Sequence, residues 1–122
     1  MATLRYIVDD VDEALAFYVA QLGFELVERW GPPFAIVARD DLRLWLSGPA
    51  SSARRPMPDG ATPVSGGWNR LVIEVDELAV RVTAMRAAGV RFRNEIVTGP
   101  GGSQILAEDP SGNPVELFQA AS

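Results

Sequence analysis

The feature that most constrains how this 122-residue chain can fold is an internal repeat. Thr3, Arg5 and Ile7 alternate with Leu4, Tyr6 and Val8, the period-2 pattern of a half-buried strand. Asp10 then offers a helix N-cap, with Glu13 three residues on. Val11, Ala14, Leu15, Tyr18 and Leu22 form an apolar helical stripe, and Gly23 stands where a helix C-cap favours glycine. Three strand-like runs follow, Phe24 to Trp30, Phe34 to Arg39 and Leu42 to Ser47, with Asp40-Asp41 as a tight turn. The same order then returns. Leu71, Ile73 and Val75 alternate with Arg70, Val72 and Glu74. Leu78, Val82, Met85 and Ala88 make a second helical stripe ended by Gly89. The runs Val90 to Thr98, Ser103 to Glu108 and Pro114 to Gln119 complete it. The chain therefore reads β-α-β-β-β twice, module one over 1–48 and module two over 68–122, an α+β fold in one domain.

Between the modules, Pro49 to Gly67 is rich in Pro, Gly, Ser and Ala and lacks periodicity. It is long for a connection in a compact domain and reads as a linker or a lid. Composition removes several functions. The chain has no Cys, so thiolate metal sites and cysteine nucleophiles are absent, and no His, the commonest metal ligand and general acid–base. Its net charge of −5 argues against a nucleic-acid partner held through phosphates. No apolar run approaches the length of a membrane span, and Met1 to Tyr6 has no signal pattern, so the expected location is cytoplasmic, without a membrane partner. Gly99-Pro100-Gly101-Gly102 lacks the strand-to-helix context of a phosphate loop and reads as a hairpin. The acidic run Asp9, Asp10, Asp12 and Glu13 is explained by its place at a helix N-terminus.

Two segments carry a specific resemblance. Val8-Asp9-Asp10-Val11-Asp12-Glu13-Ala14 with Phe17-Tyr18 and Leu22-Gly23-Phe24 resembles the opening module of the vicinal oxygen chelate superfamily, which holds the glyoxalases, bleomycin resistance proteins and extradiol dioxygenases. Glu108-Asp109-Pro110-Ser111-Gly112-Asn113-Pro114-Val115-Glu116-Leu117-Phe118 resembles its closing hairpin. The resemblance implies two βαβββ modules with curled sheets around a concave cup, and a homodimer in which the cup is completed within or between chains. It also implies a divalent metal held by four side chains, usually His or Glu. Those positions fall on Thr3 (or, with a shifted alignment, Arg5), Trp45, Arg70 and Glu116. Only Glu116 is a plausible ligand, and one carboxylate is too few for zinc. The expectation is therefore no cofactor, with a divalent metal as the alternative.

By strand parity Arg5, Arg43, Trp45 and Ser47 share the cup face of module one, and Arg70, Val72, Glu74, Glu116 and Phe118 that of module two. Trp45 is either a stacking platform for a planar ligand or a plug in place of the metal. Glu116 is either a catalytic base or ligand, or the ion-pair partner of Arg70. Pairing is favoured because Arg and carboxylate match in geometry. Three functions follow. One is a metal-independent small-molecule binder or sequestering protein. Another is a lyase, isomerase or dioxygenase-type enzyme working through Glu116. The third is a dimeric scaffold with a filled cup.

Overall fold

The computed structural model describes residues 1–122 and is α+β, with two sheets and few helices. It divides into two compact units, Met1–Gly66 and Gly67–Ser122, so the whole Pro49 to Gly67 stretch except its last residue belongs to the first. No helix is long and apolar enough to cross a membrane.

In the first unit, strand β1 (Ala2–Ile7) leads into helix α1 (Val11–Leu15), which continues as a π-helical turn over Ala16–Gln21. Asp10 caps α1: its Oδ1 accepts the Glu13 N–H at 2.9 Å, satisfying one of the orphan donors of the first turn. The wider π turn brings Phe17 inward beside Tyr18, so the buried stripe is Val11, Ala14, Phe17, Tyr18 and Leu22, and Leu15 is only half-buried. Tyr18 is the hub of this core, in edge-to-face contact with Phe17, Phe24 and Tyr6 at 5.0, 5.5 and 6.4 Å between ring centroids. Gly23, at φ +72°, lets the chain reverse into β2 (Glu25–Trp30), β3 (Phe34–Arg39) and β4 (Leu42–Ser47). Asp40, at φ +53°, makes the tight β3–β4 turn.

The sheet order is β1-β4-β3-β2, with β1 and β4 parallel. Ala35, Val37, Leu44 and Leu46 are fully buried on the face that packs on α1. That burial fixes the register, because a slip of one residue would move all of them to the other face. Leu4, opposite Leu44 on the edge strand β1, is 39% exposed.

The second unit repeats the plan. Strand β5 (Leu71–Glu74) precedes helix α2 (Leu78–Ala87), whose buried face is Leu78, Val82 and Met85. Its Ncap residue Glu77 is left-handed and makes no cap bond. Instead the Gln119 side chain accepts the Leu78 N–H at 2.8 Å. The expected strand from Val90 to Thr98 is broken into β6 (Arg91–Phe92) and β7 (Val97–Gly99). The physical reason is Asn94: its Oδ1 accepts the Leu106 N–H at 2.9 Å, taking the place of a backbone acceptor and letting the chain leave the ladder. β7 returns as a hairpin through Gly99–Gly102 to β8 (Gly102–Glu108), and β9 (Pro114–Ala120) lies between β8 and β5. The β8–β9 connection is locked by the buried Asp109, which accepts hydrogen bonds from the Ser111 and Asn113 N–H groups and the Asn113 amide, each at 2.9 Å.

Candidate functional site

Each sheet has one face against its helix and one face turned away from it. In the first unit the register places Arg5 opposite Trp45, Trp45 opposite Ile36, Ser47 opposite Phe34, and Phe34 opposite Trp30. Residues directly opposite across a pair point to the same face. A row of side chains therefore crosses the four strands: Trp30 on β2, Phe34 on β3, Trp45 on β4 and Arg5 on β1. Trp30 meets Phe34 at 6.4 Å and Phe34 meets Trp45 at 5.8 Å, both edge-to-face. The Arg5 guanidinium lies 4.8 Å from the Trp45 ring centroid, and its Nη1 donates to Ser47 Oγ at 3.0 Å.

This row forms the floor of a cavity of about 500 Å³. Pro33 and Ile36 also line it, and one wall comes from the start of the expected linker, at Ala50, Ser51 and Ser52. That strap is fastened at several points. The Gly48 N–H donates to Pro33 O at 2.8 Å, and the buried Ser51 Oγ donates to Gly48 O at 2.7 Å. Arg54 Nη1 reaches the Val8 carbonyl at 3.2 Å. Gly48 is required by this approach: a Cβ there would stand 2.8 Å from Val11 Cγ2. Trp45 lines the cavity without filling it. Its indole Nε1 is buried with no hydrogen-bond partner, which costs about 1–3 kcal/mol. The Trp30 indole N–H is directed to Glu28 Oε2 at 3.1 Å, so the cavity has a cation at one end and a carboxylate beyond the other.

The second unit's corresponding face has a different chemistry. Val72 lies opposite Glu116, and Glu116 opposite Leu106. Val115 and Leu117 are fully buried on the helix side, which turns Glu116 to the other face. There Arg70 meets it: Nε and Nη2 donate to Glu116 Oε1 at 3.1 and 3.0 Å. The Glu116 side chain is 11% exposed and that of Arg70 29%, so the pair is partly dry. Glu74 lies opposite Phe118, one step along the same face. A second basic cluster centres on Arg93, which pairs with Glu108, donates to the Gly67 and Gly112 carbonyls and lies 4.8 Å over Trp68. These bonds hold the start of the unit to the β8–β9 hairpin.

Of the residues read from the sequence as site residues, Arg5, Trp45 and Ser47 come together at the cavity, and Arg43 stands exposed on the same face. Arg70, Val72, Glu74, Glu116 and Phe118 share the open face of the second sheet. Thr3 lies opposite Arg43, so it is Arg5, not Thr3, that faces Trp45. Trp30, Phe34, Ile36, Ser51 and Ser52 were not anticipated. For Phe34 and Ile36 the signal was present, since antiparallel pairing about Asp40-Asp41 puts them on the Trp45 face. For Ser51 and Ser52 no periodic signal exists.

Residues 1–117 match the sequence model of the Glyoxalase/Bleomycin resistance protein/Dioxygenase superfamily. The chain belongs to this family. No curated protein matches it. Among solved structures, the fold is similar to lactoylglutathione lyase from Agrobacterium tumefaciens, with a TM-score of 0.76, 22% identity and 98% and 92% of the two chains covered. It is similar to TnmS3, an antibiotic binding protein from Streptomyces sp. CB03234, with a TM-score of 0.74, 26% identity and coverage of 98% and 93%. A superfamily member from Sphaerobacter thermophilus DSM 20745 gives 0.76 and 25%, with coverage of 98% and 95%. Family membership leaves the chemistry open, because the family name itself spans binding proteins and enzymes.

Proposed function

We propose that this protein is a metal-independent small-molecule binder that holds its ligand on the aromatic floor of the first unit. The observation that carries the reading is the Trp30–Phe34–Trp45 row ending on Arg5, beneath a cavity of about 500 Å³. That volume lies within the range of ordinary small-molecule sites, and aromatic walls with few polar groups are their usual lining. The likeness to an antibiotic binding protein at 26% identity supports sequestration as the role.

The residues present do not fit the divalent metal that the family resemblance implies. Trp45 has no ligating atom, Arg70 is a cation, and Glu116 Oε1 is already engaged by that cation. Neither unit holds a group of three or more His, Cys, Asp or Glu side chains arranged for a metal. The enzymatic alternative needs Glu116 as a base, yet its Oε1 already accepts two hydrogen bonds from Arg70. The proposal includes a cytoplasmic homodimer without a nucleic-acid partner. It draws on the net charge of −5 and on exposed apolar side chains such as Trp30, Trp68 and Val72. Light scattering should give twice the chain mass at micromolar concentration, and a monomer mass would remove that element.

The test of binding is tryptophan fluorescence during titration with flat aromatic compounds, since two of the three tryptophans lie on the cavity floor. Saturable quenching that is lost in Trp45→Phe/Phe34→Ala is expected. Unchanged emission across naphthalene, quinoline and indole derivatives would contradict the reading.

A further inference from the structure

The cavity floor is not uniformly apolar. Arg5 is the one charged side chain lining it, and the ion pairs of the first unit, Arg29–Asp12, Arg39–Asp40 and Arg54–Asp9, leave it out. Its geometry is nevertheless fixed. The guanidinium carbon lies over the Trp45 ring, 4.8 Å from its centroid, and Nη1 is anchored on the fully buried Ser47 at 3.0 Å. A guanidinium is planar and holds its N–H groups in its own plane, directed outward from its edge. Anchoring one of them removes side-chain freedom before any ligand arrives, so less ordering is left for binding to impose. Arg43 stands on the same face, opposite Thr3 of β1, and adds positive potential at that end. The Glu28 carboxylate sits at the far end, on the Trp30 indole.

We infer that the ligand is a flat aromatic molecule carrying a single anionic group, a carboxylate or a phenolate, and that Arg5 reads that group while the rings lie along Trp45 and Phe34. This rests on the binding function proposed above and adds the ligand's charge and its orientation. The anion points to β1 and the uncharged end of the ring system to β2, because the reverse placement would bring the anion toward Glu28 and leave the outward N–H groups of Arg5 with no acceptor on the ligand. A neutral aromatic of the same shape keeps the stacking and loses the charge-assisted hydrogen bonds. An aromatic cation loses them and meets Arg5 as a like charge.

The experiment is calorimetric titration of the full chain with 2-naphthoate and with 2-naphthamide, the same ring system with a neutral head, at low and at 0.5 M salt. The acid is expected to bind about three- to tenfold more tightly than the amide at low salt, the modest end of charge-assisted bonding because Arg5 is exposed. The gap should narrow as salt rises. In Arg5→Gln the two should bind alike, the acid having lost its advantage over the amide. Equal binding of acid and amide in the unmodified chain overturns the anion assignment and leaves aromatic binding standing. A preference that survives in Arg5→Gln overturns the role of Arg5. Binding of neither compound overturns both this inference and the function it rests on. Should Arg5→Gln fail to fold, the acid-to-amide ratio of the unmodified chain and its salt dependence decide the matter alone.

Discussion

The two open sheet faces come from the same repeated β-α-β-β-β plan and have diverged in opposite directions. In the first unit that face carries Trp45, Phe34 and, on the edge strand, Trp30, leaving a cavity of about 500 Å³ with one tethered cation. In the second they carry Arg70 and Glu116, which satisfy each other at 3.0 Å. One face keeps unspent interaction capacity, in aromatic surface and guanidinium N–H groups. The other has spent its capacity internally. The difference teaches that the repeat fixes where a side chain points, and the residue placed there decides whether the position is a site or a strut.

The largest effect that could break the comparison is on stability. Arg70→Ala should destabilise the protein by about 2 kcal/mol, below the cost of stripping a fully buried pair because both side chains keep some solvent contact. Urea denaturation measures this, and a cost below about 0.5 kcal/mol would make the pair an ordinary surface contact. Ligand binding should divide the two faces next. Trp45→Ala should weaken 2-naphthoate about tenfold or more, the scale of one aromatic stacking contact together with its buried area. Glu116→Gln should leave the same affinity within about twofold. Calorimetry checks both, and a Glu116→Gln loss equal to that of Trp45→Ala would place the site on the wrong face. A smaller effect sharpens the account of the pair. Arg70→Ala combined with Glu116→Gln should recover about 1 kcal/mol of the Arg70→Ala loss, because no bare carboxylate then remains. Purely additive denaturation energies would remove the coupling. The smallest effect belongs to Trp30→Ala, expected to weaken the ligand only about twofold to fivefold, since Trp30 is 65% exposed at the cavity's rim.

Much of this fold was legible because local signals and global pattern agreed. Asp10 caps α1 as its spacing with Glu13 suggests, Gly23 and Gly89 adopt positive φ at the helix ends, and Leu71, Ile73, Val115 and Leu117 are buried as alternation requires. The Arg70–Glu116 contact was legible for the same reason, since parity alone sends both to one face. Tertiary devices without a sequence period were not. The π turn that brings Phe17 inward, the Asn94 side chain that interrupts the strand after Gly89 and the Gln119 cap on α2 each depend on a partner distant in sequence or on a local widening. The cavity was half legible. Trp45 and Arg5 follow from strand parity, whereas Ser51 and Ser52 reach it through a strap held by Gly48 and Arg54, which resembles any other proline- and serine-rich loop.

The central claim is that the site works through its aromatic floor and Arg5 with no metal. It is tested most directly by calorimetric titration of 2-naphthoate into protein dialysed exhaustively against EDTA, repeated with one equivalent of nickel or zinc restored. The account expects the same one-site affinity in both, within about twofold. Binding that appears only after the metal is restored would contradict it.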